Sequence, residues 1–535
     1  MCKERINVNR PTDTSSSRPK KTVEAQPTPA SCEQDVRDRF EECLQFCRNG
    51  NTGQSFTKVE MELGRRVYAL ACAMLQLFLC CAEAVMNYEE LRAGCSPCRV
   101  RSPSPRNLTT RFGKVRYFRT YFEHKHKAGG WHPLDAALGI TGDGFSSTII
   151  LWSAQLATRV SFSCVKNILE TILQLSPSTE AIENYVLGLG ERARPFVEST
   201  ANCRDDGDLL VLEVDGKAVP TATEEELHKR RRPKGEGKQK SKCQRHRSRA
   251  KRKGKTRKRR RKGDKSKNGR SATLVAMYTL RRGQDGLLHG PVNKKIWASF
   301  NSRKEVLEWV REQAVRRGFS PDGPKQIHIV TDGELCLQLN LRELFPNATY
   351  ALDIRHLEEK IWKAGRTFHS EGSKELERWV DQYRDLLYAG KADELINDLE
   401  KLKSGLLRPR ADEKRRKALD ALVGYMQKRT ALLRYNLFLE QDLPIASGII
   451  EGAARYVIGE RMDCSGMRWI PQRAEMLLHL RCIEVNGDWE RFASYVDQHN
   501  IDALVQEQKV VIRSTSPPPI LRLNTNTPPE QGKAA

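Results

Sequence analysis

Two acidic residues of the 535-residue chain each follow a short apolar run and precede a glycine. Asp215 comes after 209–214, in which five of six residues are aliphatic, and Asp332 comes after 326–331. Each run predicts a buried strand, and a carboxylate at the end of such a strand is where α/β folds place their chemistry. Asp-Gly is also a strong hairpin signal, so a turn or a solvated acid is the alternative interpretation of either residue.

The elements around these acids favour an α/β core with helices on both faces of a sheet. Three further strand patterns occur along the chain, at 271–283, 295–300 and 347–353. Between the third and the fourth strand, 302–319 has the periodicity of an amphipathic helix. The resulting order is that of a ribonuclease-H-like fold, in which the first and fourth strands are adjacent. Asp215 and Asp332 would then lie together although 117 residues separate them.

A third acid, Glu451, stands near the start of a predicted helix. Ser447 could cap this helix, and apolar residues at helical spacing would bury one of its faces. By itself Glu451 could simply form a surface pair with Arg455. Its position after the fifth strand, where this fold carries its third acid, favours an active-site role.

The basic charge of the chain is concentrated in one tract. Residues 228–270 contain 24 Lys or Arg and two acids, a net charge of +22 in a chain whose total is +25. The tract has no apolar periodicity, which predicts a disordered insertion that condenses on a polyanion. DNA, RNA or an acidic protein would serve, and the density of Lys and Arg favours nucleic acid.

The N-terminal part predicts a tail and then helices. Residues 1–35 are Ser, Thr, Pro and charge, typical of a disordered tail, and 36–110 predict a helical region. The apolar run 67–86 is long enough to span a bilayer, but Gln76 and Glu83 within it favour a buried helix and no membrane. The fifteen cysteines are scattered and no secretory leader is evident, so we expect a reduced intracellular compartment.

Cys95 and Cys98 have the spacing with which two thiolates grip one Zn²⁺. A second pair of ligands is needed, and only His124 and His126 offer themselves, in an unusual His-x-His arrangement. A zinc site at Cys95 and Cys98 therefore requires both of these histidines as well. The intervening 114–122 alternates basic and aromatic residues, which predicts a strand suited to a hairpin or to contact with a nucleic-acid backbone.

The region 111–204 includes a helix, a short turn and a second helix. The first helix is predicted at 162–174, and Ser178 would cap the second. This outline is typical of a helix-turn-helix DNA-binding region, although an ordinary helical hairpin fits it equally well. The remaining predicted domains are a catalytic domain at 205–356 and 441–485, a helical insertion domain at 357–440, and a C-terminal segment at 486–535 that ends in a disordered tail.

Several motifs together carry a resemblance to a known family. They are RTYF, HPLDAALGI, VDGKAV at Asp215, VTDGE at Asp332, DIRH from Asp353 to His356, and IEGAARYVIGERMDCSGMRW from Ile450. Over about 112–492 the chain resembles bacterial insertion-sequence transposases with an Asp-Asp-Glu triad, within them the Kra-like group related to the Mutator type. The resemblance implies a ribonuclease-H-like core that cuts the ends of a mobile element and joins them to target DNA.

The resemblance also implies a metal site. Two Mg²⁺ or Mn²⁺ ions would be held by Asp215, Asp332 and Glu451, with Asp215 between them. His356 would lie near the scissile phosphate, or would only hold the strand end in place. The implied partners are the DNA ends and a target in a homodimer or higher oligomer, in a bacterial cytoplasm and associated with the nucleoid.

Four further residues are candidates for contact with DNA. Lys217, Arg461 and Arg468 could meet phosphates, and Trp469 could stack on an unpaired base or belong to the core. Two other functions stay open at this point. The scaffold could bind DNA without cutting it, or the basic tract could make the chain a general RNA-binding protein.

Overall fold

The computed structural model describes residues 26–50, 53–93, 97–126, 129–200, 206–226, 269–408, 410–464 and 467–508. Most of the predicted N-terminal tail, nearly all of the basic tract 228–270 and the C-terminal tail lie outside these residues. The chain divides into two compact units, 1–146 with 501–535 and 147–500. The division at residue 146 falls inside the predicted region 111–204.

The first unit begins with helices, one of them earlier than the sequence suggests. Helices α1, α2 and α3 span Pro29–Arg48, Phe56–Ala84 and Tyr88–Ala93. The predicted tail to residue 35 is therefore too long. Thr28 and Ser31 exchange side-chain to backbone hydrogen bonds in a capping box, which starts α1 inside the Ser- and Pro-rich composition.

Helix α2 buries much less of its surface than its apolar sequence predicts. Among its 29 residues only Ala73, Leu79 and Glu83 are fully buried, whereas Met74 and Phe78 are each 55% exposed. By length and composition alone α2 is long and apolar enough to cross a membrane. The expectation of a buried helix is thus met along one stripe only, because among the described residues one face of the helix packs against neighbours and the other is exposed.

Residues 98–110 form a strand, which corrects the prediction of a helical region through 110. Strands β1 (Cys98–Thr110) and β2 (Gly113–His124) form an antiparallel hairpin that pairs from Cys98 opposite His124 to Thr110 opposite Gly113, with one register shift between Arg101 and Ser104. The short strand β3 (Gly130–Trp131) pairs with β2. Cross-strand pairing with the basic and aromatic β2 decides the conformation of β1, whose own sequence has little strand character.

A buried carboxylate organises the base of this hairpin. Asp135, in the short helix α4 (Pro133–Ala137), accepts a hydrogen bond of 2.5 Å from the Tyr117 hydroxyl. Arg106 and Arg119 each approach the other oxygen of Asp135 at 2.8 Å. The HPLDAALGI motif therefore has a structural role in the first unit, because its acid satisfies two half-buried guanidinium groups.

The second unit is built on a mixed five-stranded sheet in the order β6-β5-β4-β7-β8. Its strands span Leu209–Pro220 (β4), Gly269–Arg282 (β5), Leu288–Ser299 (β6), Gln326–Thr331 (β7) and Thr349–Leu352 (β8). β4, β5 and β6 are antiparallel neighbours, whereas β7 and β8 run parallel to β4. The predicted α/β class and the predicted adjacency of the first and fourth strands are confirmed.

Strand β4 does not end at Asp215 as predicted but continues to Pro220. Its pairing with β5 extends to Pro220 opposite Gly269, whereas its parallel pairing with β7 ends at Val214 opposite Thr331. Asp215 therefore lies where β4 loses its parallel neighbour β7 and stays paired with β5. The hairpin of β4 and β5 alone projects beyond this edge.

Helices cover the sheet and protect its outer strand. They are α5 (Ser147–Arg159), α6 (Phe162–Leu173), α7 (Thr179–Thr200), α8 (Arg303–Arg316) and α9 (Leu335–Leu344), followed later by α17 (Pro471–Val485) and α18 (Trp489–Gln508). Asn486, after α17, accepts from the Ile296 backbone at 2.8 Å and donates back to it at 3.0 Å. The amide thus pairs with the exposed edge of β6 as another strand would.

Between β8 and Glu451 the described residues form helices, as predicted for the insertion. These are α10 (Ile354–Gly365), α11 (Lys374–Tyr388), α12 (Ala392–Ser404), α13 (Glu413–Gln427) and α14 (Tyr435–Glu440), with the 3₁₀ turn Thr430–Leu432 before α14. Their apolar faces meet in a core that includes Leu376, Leu395 and Leu419, each fully buried. After the insertion the chain forms α15 (Gly448–Ala453), one π-helical turn (Ala454–Gly459) and α16 (Glu460–Met462).

The buried ion pair of Asp206 and Arg317 ties the start of β4 to the end of α8. The guanidinium donates to the two carboxylate oxygens at 2.7 and 2.9 Å, and both side chains are at most 5% exposed. Burial alone would raise the pKa of Asp206, but hydrogen bonds from Arg317 and Thr279 outweigh it and lower the pKa. The pair therefore stabilises the fold above the ordinary Asp pKa and loses this contribution as the pH falls below it.

We expect Arg317→Met to lower the free energy of unfolding by about 3–5 kcal/mol, because it leaves a buried carboxylate without its partner. Lys391→Met removes one side of the exposed pair with Glu394 and serves as the control, with no measurable change expected. Urea unfolding followed by circular dichroism measures both. Equal midpoints for the two variants would show that the buried pair contributes nothing.

Candidate active site

Three acids stand in a row at one edge of the sheet. Val214, Thr331 and Leu352 are in register across the parallel strands β4, β7 and β8. The next residue of each strand is an aspartate: Asp215, Asp332 and Asp353. Because neighbouring strands lie about 4.8 Å apart, the register alone places these carboxylates side by side.

Asp215 is held in a partly buried and negatively charged environment. Burial raises its pKa, and the nearby charge of Asp332 raises it further. A hydrogen bond of 2.6 Å from the Gly216 N–H and the charges of His356 and Lys217 act in the opposite direction. The site thus concentrates negative charge that a cation would neutralise.

The turn after Asp332 is clamped by the helical insertion. The Tyr425 hydroxyl donates to the Asp332 carbonyl at 2.6 Å, and Arg429 Nε donates to the Gly333 carbonyl at 2.6 Å. Gly333 has a φ of +81°, and a Cβ there would meet Leu352 at 2.5 Å. Glycine is required both by the backbone conformation and by the close approach of its neighbours.

Asp353 is completely buried and supports its neighbours. One of its oxygens accepts from the Arg355 N–H at 2.9 Å, and the other accepts from His356 Nδ1 at 2.9 Å and from the Ser447 hydroxyl. Ser447 occupies the N-cap position of α15, but its side chain makes no capping bond. The prediction that Ser447 caps this helix is corrected, because its hydroxyl is used by Asp353 instead.

His356 links the row of aspartates to Glu451. Its hydrogen bond to Asp353 raises its pKa to about 9 against a smaller effect of burial, and the charges of Asp353, Asp332 and Asp215 raise the pKa further. The same Nδ1 atom lies 4.0 Å from Glu451 Oε1. At neutral pH the ring of the metal-free protein is therefore an imidazolium surrounded by carboxylates.

Glu451 projects from the first turn of α15 with 47% of its side chain exposed. Partial burial and the charge of Asp353 raise its pKa, and His356 lowers it. One ligand atom from each of Asp353, His356 and Glu451 lies within 4.8 Å of the others, so this cluster could hold a metal ion. Within the part of the chain that the structure describes, no other group of His, Cys, Asp and Glu meets the same distance.

A buried acid close to Asp215 escaped the sequence analysis. Glu213 is only 1% exposed, and burial raises its pKa to about 7 although hydrogen bonds from Ile450 and Tyr278 lower it. It is the single charged residue of the apolar run before Asp215, and that interruption was the signal that could have identified it. Arg303 was also missed: it forms a 2.6 Å ion pair with Glu334 beside the site.

Arg461 has a structural role rather than the predicted contact with a phosphate. Its side chain is 2% exposed, and Nε donates to the Ala157 carbonyl at 2.8 Å. The guanidinium lies 4.9 Å from the centre of the Trp469 ring and 5.7 Å from that of Phe162. A cation enclosed in this way is not presented at the surface.

The other three candidates for DNA contact stay predictions. Lys217 is partly buried and close enough to Asp215 to lower its pKa. Arg468 and Trp469 are partly buried, and the Trp469 Nε1 group donates to the Met462 carbonyl at 3.0 Å. One side of the indole faces Arg461, so stacking on a base would have to use the other.

The proposed zinc ligands lie in the first unit. Cys98 is buried among Phe122, Trp131 and Ala136. Its neighbour across the hairpin is His124, whereas Cys95 lies outside the described residues. The pairing of Cys98 with Cys95 as zinc ligands stays a prediction.

Comparisons with known proteins identify no relative. No protein-family model matches the chain, and no curated protein matches its sequence. A function for this chain is therefore inferred from its residues and their geometry.

We expect Asp353→Asn to lower the pKa of His356 from about 9 toward the ordinary 6.5, because the substitution removes the negative charge and one of the two carboxylate oxygens that stabilise the imidazolium. In the wild type this contribution to stability is present below about pH 6.5 and is lost as the pH rises through about 9. NMR titration of histidine-labelled, metal-free protein measures the shift.

The control for this titration is Glu371→Gln, which removes an exposed carboxylate from the ion pair with Arg366. It should leave the pKa of His356 unchanged. His328, whose pKa burial lowers to about 4, provides an internal signal that neither substitution should move. An unchanged titration of His356 in Asp353→Asn would contradict the assigned hydrogen bond.

Proposed function

We propose that the chain is a DNA transposase that cuts the ends of a mobile element and joins them to target DNA with divalent metal ions. The observation that carries this proposal is the row of Asp215, Asp332 and Asp353 at the sheet edge, joined to Glu451 through His356. Phosphoryl transfer of this type needs such clustered carboxylates to neutralise charge on the attacking and leaving oxygens.

The strand order supports a ribonuclease-H-like catalytic core. Strand β4, the first of the core, has β5 as its antiparallel neighbour and β7 as its parallel neighbour. Strand β8, the fifth of the core, lies outside β7. A helical insertion separates the fifth strand from Glu451. Both features agree with what the resemblance to insertion-sequence transposases implies.

The donor atoms fit Mg²⁺ or Mn²⁺. Asp215, Asp332 and Glu451 would hold two ions, because hard divalent cations prefer carboxylate oxygens. Among the described residues, however, the group whose ligand atoms lie within 4.8 Å of one another is Asp353, His356 and Glu451. Asp353 is less suited as a ligand, since both of its oxygens accept hydrogen bonds from protein groups. When bound, the two ions supply Lewis-acid stabilisation of the charge that develops during phosphoryl transfer.

The chain's own groups would orient the DNA around this centre. Asp353 fixes the ring of His356 through Nδ1, so that the N–H on Nε2 can donate to a phosphate oxygen. Tyr425 and Arg429 hold the turn of Asp332 from the insertion. These contacts would keep the acids in position while the substrate binds.

The basic tract supports DNA as the partner. The described strands on either side of it pair at Pro220 and Gly269, at the end of the hairpin that projects beyond Asp215. The tract 228–270 therefore joins the fold on the side of the acids. Its net charge of +22 suits a polyanion close to the reaction centre.

We expect Asp215→Asn, Asp332→Asn and Glu451→Gln each to reduce cleavage of labelled element ends by about 100-fold or more, because each removes part of the metal-binding charge. DNA binding should persist. Cleavage is followed on gels with Mg²⁺ or Mn²⁺, and binding by fluorescence anisotropy. Asp381→Asn, at an exposed acid of the insertion helix α11, is the matched control and should cut like the wild type.

Two other results would redirect the assignment. If the three variants cut as well as the wild type, the acids are not the active site. If no protein cuts but all bind the ends, the chain is a DNA-binding protein on this scaffold. Deleting 228–268 tests the RNA-binding alternative: loss of all nucleic-acid binding favours it, whereas retained recognition of element ends with a smaller salt dependence favours the transposase.

A further inference from the structure

Glu213 lies on the same strand and the same face as Asp215, two residues before it. It is the only charged side chain in a stretch whose other residues, 209–212 and Val214, are buried and aliphatic. Burying a carboxylate among such residues is unfavourable unless its hydrogen bonds are satisfied. An apolar residue would pack the sheet at lower cost, so the contacts of Glu213 indicate what the acid does.

Those contacts lead to the helix of Glu451. One oxygen of Glu213 accepts from the Ile450 N–H at 2.8 Å, and the other accepts from the Tyr278 hydroxyl at 2.9 Å. The Ile449 N–H also acts on the carboxylate. Glu451 is the next residue along the chain.

These two amides are the ones that a helix cap normally satisfies. With Ser447 at the N-cap, Ile449 and Ile450 occupy the second and third positions of α15. The Ser447 side chain makes no capping bond to them, and its hydroxyl donates to Asp353. Glu213 replaces the missing cap from another strand, and Tyr278 on β5 fixes its second oxygen.

We propose that Glu213 is a positioning residue that caps α15 from β4 and thereby sets Glu451 relative to Asp215. The inference rests on the proposed function, since the distance between two metal-binding acids matters only if both hold metal. Strand β4 then supplies both the first acid and the anchor of the third. A shift of the sheet edge would move Asp215 and Glu451 together.

The experiment compares Glu213→Leu, which removes the acceptor, with Glu213→Gln, which keeps one acceptor oxygen. We expect the leucine variant to lower kcat for cleavage of element ends with Mn²⁺ by about 100-fold, with KM for DNA changed less than about threefold, because a small misplacement of a catalytic group has this effect. The glutamine variant should recover most of kcat.

Glu475 provides a matched control. It is also a buried acid of the second unit, and it accepts from the Phe300 N–H at 2.5 Å, after β6, which is separated from β4 by β5. Glu475→Leu should lower stability without the split between kcat and KM, and Glu475→Gln should behave like the wild type. If Glu475→Leu and Glu213→Leu change kcat and KM alike, the effect is general and the proposal is overturned.

Hydrogen exchange separates this inference from the proposed function. In the metal-free full chain, exchange of the peptide 446–454 should accelerate in Glu213→Leu and stay near the wild-type rate in Glu213→Gln. This readout decides the capping role even if the wild type does not cleave DNA, a result that would count against the transposase alone. Unchanged exchange in the leucine variant overturns the proposal.

Should Glu213→Leu fail to fold, Glu213→Gln and Tyr278→Phe decide the question. The phenylalanine variant removes the donor to the second oxygen and leaves the contact with Ile450. Faster exchange of 446–454 in Tyr278→Phe, with a reduced kcat, supports the role of Glu213 as an anchor. Wild-type exchange and kcat in Tyr278→Phe would overturn it.

Discussion

The register of three parallel strands is the constraint on which the candidate site depends. The parallel pairing of β4 with β7 and of β7 with β8 ends at the same level. The next residue of each strand is therefore placed at one edge of the sheet, and all three of these residues are aspartates. Like charges so arranged repel one another, and the imidazolium of His356 is a cation that the described protein places among them. The fold therefore maintains an arrangement that is electrostatically unfavourable without positive charge.

Elements distant in sequence hold this arrangement together. The insertion grips the turn of Asp332 through Tyr425 and Arg429, and the segment before α15 is tied to the sheet where the Ile445 carbonyl accepts from Ile354 at 2.9 Å. His328, buried in β7, is hydrogen-bonded to the Pro444 carbonyl at 2.7 Å. The later part of the helical insertion and the segment after it are thus fixed next to the strands that carry the acids.

In the site, a residue from a different strand makes the hydrogen bonds that the local N-cap residue does not make. Ser447 is placed to cap a helix but bonds Asp353, and Glu213 takes over the amides that the serine leaves. Both oxygens of Asp353 in turn accept hydrogen bonds, from Arg355, His356 and Ser447. A buried polar network of this kind is stable only when every member is satisfied, which couples the position of Glu451 to that of the sheet edge.

Local sequence patterns determined the elements of this protein. The apolar runs before Asp215 and Asp332 predicted their strands, and the order of strands and helices predicted that the two acids are neighbours, because periodicity and chain order are local properties. The first unit was harder to predict from the sequence. Strand β1 has little strand character of its own and forms because it pairs with β2. The apolar sequence of α2 could not reveal that, among the described residues, only one of its faces is packed.

Tertiary structure decided the roles of individual polar groups. The sequence predicts that Arg461 contacts a phosphate, whereas in the folded chain this residue is buried and its guanidinium packs against the Trp469 ring. In the sequence Glu213 only interrupts the apolar pattern of a strand. Its hydrogen-bond partner Ile450 is 237 residues away along the chain, so its role is visible only in the folded structure. Side-chain type states what a group can bind, whereas burial and hydrogen-bond partners depend on contacts between distant segments, and these exist only once the chain has folded.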